Sequence, residues 1–365
     1  MSIWNWFVAK KQEYRDSGDA ERLEMAQIHL QAFKLRETDP QAMLRMYTDG
    51  RDRARRLGES WWEYLYEVWI AIAYGSYLMQ LDKALPQALH CVNEGQQPHL
   101  TDHPWRIAAH NTLLKLYVDI DPIGHAAAIE ECLRNLAREI PEDEFEHRYV
   151  LYGQETLFLI AHGRWEEARQ QCLNKLALFE RHDFKNDSYL ISTYLSLCEI
   201  YWRERGREEI LRYAQQAEET ARRRRAAQLS LANAQVWLAV ATRLYGDEET
   251  ARRYFRSALN RISRLHTKPD AGHYDAMIAF LELGEDLESC LRVREEQLEH
   301  IQGTGRFSYE CELQIKRCEL LARLGRLTPE DLARARPSLK RLKNPQPYQQ
   351  RLDQLAEPGS CSQQV

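Results

Sequence analysis

Glycine and proline are scarce in this chain, at 16 and 12 among 365 residues. Leu, Ala, Glu, Arg and Gln dominate instead, and these are strong helix formers, so the composition points to an all-α protein. A long apolar run is also missing. The longest, from Leu65 to Met79, carries Glu67 and Gly75 and is shorter than the roughly 20 residues a bilayer span needs. The start, MSIWNWFVAKK, has its charges after a short apolar run, which does not fit a signal peptide. A soluble cytoplasmic protein with no membrane contact is the expectation. No surplus of one charge exists either: Lys+Arg 50 against Asp+Glu 55 leaves −5. That balance disfavours nonspecific attraction of the whole molecule to nucleic acid or anionic lipid, so any such contact would be local.

Signatures of chemistry are equally thin. The eight cysteines, at 91, 132, 172, 198, 290, 311, 318 and 361, contain no C-x-x-C pair and sit mostly among helical apolar positions. They read as small core residues in a reducing compartment. There is no Gly-rich phosphate loop, no G-x-S-x-G and no H-E-x-x-H. The one metal-like spacing, His99-x-x-x-His103, is flanked by Pro98 and Pro104 and reads as an interhelix loop rather than a helical ligand pair. Acidic pairs such as Glu166-Glu167 and Glu248-Glu249 open helices, where carboxylates complement the dipole. The expectation is a chain that is not an enzyme, with no catalytic residues, no cofactor and no metal.

What is present is a repeat. Residues 231–262 hold two apolar-periodic stretches separated by Tyr245-Gly246-Asp247-Glu248, a helical hairpin. In its second helix Ala251, Phe255 and Ala258 fall at i, i+4 and i+7, so a small, a large and a small residue share one face. A neighbouring helix can approach at the alanines and receive the ring between them. This face resembles the second helix of a tetratricopeptide (TPR) repeat. In the first helix Leu238 and Ala239 stand where the family has Leu-Gly, while Gln235 stands where it has Trp. Another hairpin matches better: Tyr194, Leu197, Cys198 and Tyr201 occupy the spacing of the family's Trp, Leu, Gly and Tyr, followed by Ile210, Ala214 and Ala217.

Gly-centred breaks recur at Gly163, Gly206, Gly246, Gly284 and Gly325, with spacings of 43, 40, 38 and 41. That period exceeds the about 34 residues of a standard TPR, and longer repeats of this kind resemble those of bacterial peptide-sensing regulators. The small set Ala84, Ala88, Cys91 marks a further second helix. Hairpins are placed at about 19–57, 60–97, 103–140, 145–183, 187–225, 226–265, 270–302 and 306–342. The expected architecture is an α-solenoid of about eight TPR-like hairpins in a right-handed superhelix. Residues 1–57 form an N-terminal cap and first hairpin, 58–342 the array, and 343–365 a capping helix and disordered tail. An open stack needs its ends covered. Trp4, Phe7 and Val8 are candidates to close one end. Thr328-Pro329-Glu330-Asp331 is a strong helix start near the other, and Pro337 a place for a kink.

Trp61, Trp62 and Trp69 crowd one first helix; core packing and a platform for an apolar peptide both fit, and exposure of Trp61 separates them. Charge is blocked: residues 203–264 hold 14 bases against 8 acids and 316–343 hold 9 against 3, whereas 128–147 and 282–300 each hold 7 acids against 2 bases. Arg222, Arg223, Arg224 and Arg225 end a helix and are candidates for an acidic partner. In TPR-like superhelices the first helices line a concave groove, and polar residues there hold an extended peptide. The resemblance therefore implies Ser192, Glu199, Arg203, Asn233 and Arg243 as groove candidates, with Asn111 and Gln154 in hairpins that align less well. The expected function is a protein- or peptide-binding adaptor. A regulator resembling peptide-controlled response-regulator phosphatases is the alternative, and a helical-repeat nucleic-acid binder, resting only on the arginine blocks, is disfavoured by the net charge.

Overall fold

The computed structural model describes residues 3–36, 38–142, 144–182, 187–223, 228–265 and 271–356, with side chains from Trp6 onward. Their regular structure is helical throughout, and no strand occurs among the described residues. A single helix α1 (Ile3–Asp16) precedes eight hairpins: α2–α3 (Ala20–Lys34, Pro40–Leu57), α4–α5 (Ser60–Ile72, Leu81–Glu94), α6–α7 (Arg106–Ile120, Ala126–Glu139), α8–α9 (Phe145–Ala161, Trp165–His182), α10–α11 (Asp187–Arg203, Arg207–Arg223), α12–α13 (Gln228–Leu244, Glu248–Ile262), α14–α15 (Ala271–Leu283, Leu287–Ile301) and α16–α17 (Phe307–Arg323, Pro329–Leu339). Helix α18 (Gln346–Ala356) follows. These are the hairpins that the turn spacing marks in the sequence. No helix is long and apolar enough to cross a membrane among the described residues.

The starts and turns follow from local chemistry. Asp19, Asp39, Asp247 and Asp286 each cap a helix by accepting a backbone N–H three residues on, which satisfies one of the donors a helix start leaves open. Thr328 and Asp331 form a reciprocal capping box with Pro329 in the first turn. Gly246 turns the α12–α13 hairpin at φ +86°, a left-handed conformation that side chains resist. The α14–α15 turn differs: Glu285 takes the left-handed position at φ +55°. Gly284 is required there for another reason, since a Cβ on it would lie 2.5 Å from Arg243 Nη1. Pro337 sits in the last turn of α17, which ends two residues later, so the expected mid-helix kink becomes a helix end.

The chain divides into two compact units: unit 1, Met1–Gln154 with Gly303–Arg306, and unit 2, Glu155–Gln302 with Phe307–Val365. In unit 1 helices α1 to α7 pack on their sequence neighbours around an aromatic core. Trp6, Phe7, His29, Tyr47, Trp62, Tyr66, Trp69 and Trp105 are all buried. Trp61 is half-buried; its Nε1 donates to the His99 carbonyl at 2.9 Å, and its ring lies 4.7 Å from that of His103. The tryptophan crowding is therefore core packing, not an open platform. One expectation about the end of the stack is corrected. Val8 is 64% exposed while Trp6, Phe7 and Tyr14 are buried, because at about 100° per residue Trp6, Phe7 and Tyr14 share an arc of about 100° and Val8 falls beyond it, about 200° round from Trp6. The side chain of Trp4 lies outside the described residues.

In unit 2 the first helices of the hairpins touch one another: α10 meets α12 and α14, and α12 meets α14. Helix α12 is accordingly buried on every side from Leu231 to Ala241, as an all-round apolar helix must be. Ala251 and Ala258 of α13 are fully buried, and Phe255 between them stacks on Phe280 of α14. Cys198, at the position of closest approach, is fully buried with its Sγ 3.7 Å from the Ile210 carbonyl. The seven cysteines among the described residues are all free thiols; Cys361 lies outside them.

Candidate functional site

The groove candidates separate into exposed and buried sets. On α10, Ser192 and Arg203 are exposed and Glu199 is half-buried. Their spacing of seven and then four residues keeps them on one face. The Ser192 hydroxyl donates to the Tyr189 carbonyl, and the Arg203 guanidinium lies 5.4 Å over the Trp165 ring. Asn233 is only 5% exposed and its Oδ1 accepts no hydrogen bond among the described residues. It lies inside unit 2 rather than on a surface, because α12 is enclosed by α10, α11, α13 and α14. Asn111 is also buried, its amide nitrogen 3.2 Å from His147 Nδ1. Gln154 is half-buried with Oε1 unpartnered among the described residues.

Arg243 is a brace between hairpins. Its Nε and Nη2 bond both Glu248 oxygens at 2.7 and 2.5 Å, its Nη1 donates to the Phe280 carbonyl at 2.6 Å, and the guanidinium stacks 3.8 Å from the Phe280 ring centroid. Little of it remains for a ligand. Arg222 and Arg223 are exposed and pair with Glu218 and Glu219 one turn back, and Arg224 and Arg225 lie outside the described residues. His103 accepts the Trp105 N–H at Nδ1, 3.1 Å, and its Nε2 lies 2.9 Å from the Trp61 carbonyl. Both nitrogens are thus engaged inside unit 1.

A polar seam runs along alternate helices of unit 2. Asp275 of α14 accepts from Arg294 Nη1 at 3.1 Å; Arg294 also bonds Gln297, which donates to the Tyr309 hydroxyl at 2.5 Å. On α16, Glu312 lies 3.7 Å from Lys316 and accepts from Arg351 of α18 at 2.5 Å, and Arg351 also donates to Glu319 at 2.7 Å. Burial would raise the Asp275 carboxyl, but the charges of Lys316, Arg294 and Arg203 outweigh it and hold it below the usual carboxylate range. Glu312 is held low against its burial by Lys316, Arg351 and Arg294 in the same way. The field of Arg203 at Asp275 links the polar face of α10 to that of α14. Asp275, Glu312 and Lys316 keep about a quarter of their side-chain surface exposed, so the seam is a wetted surface and not a sealed core.

A second feature lies along α13. A cleft of about 1190 Å³ is lined by Arg252, Arg253, Arg256, Asn260, Arg261 and Arg264, among others. Arg252 pairs with Glu248, and Arg261 donates to Gln228. Arg253, Arg256 and Arg264 are exposed and make no ion pair or side-chain hydrogen bond among the described residues. Consecutive arginines such as Arg252 and Arg253 stand out in a sequence but point about 100° apart on a helix. Residues 253, 256 and 260 look scattered yet fall on one face of α13, and this i, i+3, i+7 spacing was the available signal; Arg264 joins them from the turn that follows.

No family model matches this chain, and no curated protein matches it. Among solved structures it is similar to a "Circular tandem repeat protein with novel repeat topology and enhanced subunit contact surfaces", at 15% identity over 95% of this chain and 88% of that one, with a TM-score of 0.18.

Proposed function

We propose that this helical-repeat chain is a non-catalytic, TPR-like adaptor that binds a protein segment along the polar face of the first helices of unit 2. The observation that carries this reading is the partly exposed cluster of Asp275, Lys316, Glu312 and Arg351 on α14, α16 and α18, with Arg203 exposed on the α10 helix that packs on α14. Such a cluster offers donors and acceptors together, which is what an extended backbone requires. Its exposure means that exchange with a ligand does not begin from a sealed interior. The small–large–small face of α13 and the hairpin period near 40 support the TPR-like type. The free cysteines among the described residues fit a reducing, cytoplasmic setting.

Affinity capture from native lysate tests this, using the full chain, Arg203→Glu, and Arg334→Glu as a control that changes the charge equally at an exposed site elsewhere. The reading expects a protein retained by the wild type and the control and lost with Arg203→Glu. Retention of nucleic acid, or of the same protein by all three, contradicts it.

A further inference from the structure

We infer that the outer face of α13 is a docking site for an acidic polypeptide segment, distinct from the first-helix face. Arg253 and Arg256 project from one side of α13, Arg264 follows in the turn just past its end at Ile262, and all three line, with Asn260, a cleft of about 1190 Å³. They differ from several exposed arginines of unit 2. Arg222, Arg223, Arg252, Arg323 and Arg326 each sit within ion-pair distance of a carboxylate, whereas these three have none among the described residues. Three like charges held along one groove repel one another, although the net charge of the chain is −5. The nearby Asp247 carboxyl is held low by hydrogen bonds from Thr250 and, beyond these, by the charge of Arg253, the one of the three to act so among the described residues. Carboxylates supplied by a partner would remove that repulsion and form charge-assisted hydrogen bonds to the guanidinium forks.

The rest of the lining favours a peptide over a nucleic-acid backbone. Among the described residues no aromatic side chain lines the cleft to stack a base. Glu248 and Glu249 lie at the amino end of the same cleft, where they repel phosphates and require that the ligand's acids sit toward Arg256 and Arg264. Leu265 lines the cleft past the carboxyl end of α13, an apolar contact for an aliphatic side chain. The ligand class is therefore a short segment rich in Asp and Glu that carries an aliphatic residue.

The test is fluorescence anisotropy with the full chain and a labelled synthetic peptide of about twelve residues of Glu and Asp with interspersed Leu, long enough as a helix to follow the stripe. Binding should weaken steadily as salt is raised from about 0.05 to 0.5 M. Arg253→Glu with Arg256→Glu should lower affinity at least about tenfold, and Arg253→Gln with Arg256→Gln by a smaller factor. Arg334→Glu should leave affinity unchanged. Both pairs are exposed, so unchanged helical circular dichroism is the expected control. Equal binding of the acidic peptide by all variants overturns the proposal, as does no binding. Binding of a single-stranded oligonucleotide in place of the peptide assigns the cleft to nucleic acid. A dimer in sedimentation that Arg253→Glu/Arg256→Glu dissolves assigns it to a second copy.

Discussion

Phe255 of α13 stacks on Phe280 of α14 with ring centroids 4.2 Å apart and planes inclined by 22°. The contact joins one hairpin to the first helix of the next, and it exists because Ala251 and Ala258, both fully buried, let the helices close in on either side of the ring.

Ala251→Trp should therefore overpack this joint and destabilise unit 2 by about 1 to 3 kcal/mol or more. Helices that mainly contact their neighbours lose order locally. Hydrogen exchange should accelerate in α12 to α14 and stay unchanged in α3 to α6; acceleration of equal size in both regions would show global coupling instead.

Stability should fall as pH drops from about 6.5 to about 4. Burial pushes the His29 imidazole down to about 4 and the His103 imidazole likewise to about 4. An unfolded histidine titrates near 6.5, so in this window the unfolded chain binds protons that the native rings refuse. The contribution is complete above pH 6.5, is lost on the way down, and is at most about 3 kcal/mol for each ring. His29 is ringed by Phe7, Phe33, Tyr47, Trp69 and Trp105. His29→Phe should flatten the urea-midpoint-against-pH curve in that window, and an unchanged slope would place the acid sensitivity elsewhere.

Arg243→Ala should lower stability by about 1 to 3 kcal/mol, since it leaves the Phe280 carbonyl without its donor and Glu248 with only Arg252. Ligand affinity should be unaffected once the protein is folded. A thermal midpoint equal to wild type would mean that the brace contributes nothing.

The hairpins were legible in the sequence because most turns leave a local mark, a glycine or an aspartate cap, and the helices between are periodic; the α4–α5 turn leaves neither, with Met79 left-handed and no side-chain cap from Gln80. Small residues at Ala251 and Ala258 likewise announced close packing. The fate of polar residues was not legible. Asn233 and Ser192 hold matching positions on their first helices, yet one is buried and the other exposed, because direct contact of α12 with both α10 and α14 closes over Asn233. Arg243 looked like a groove residue; its capture depends on Gly284 in the next hairpin leaving room for the guanidinium. Such outcomes are set by how alternate helices meet, which nothing within one repeat encodes.

Photo-crosslinking from two exposed positions tests the adaptor account most directly. A benzophenone side chain replaces Ser192 on the first helix α10 or Gln215 on the second helix α11, and each full-length variant is irradiated in native lysate. The account predicts one protein adduct from position 192, diminished by Arg203→Glu and absent from position 215. Adducts from position 215 alone, or none from either, would contradict it.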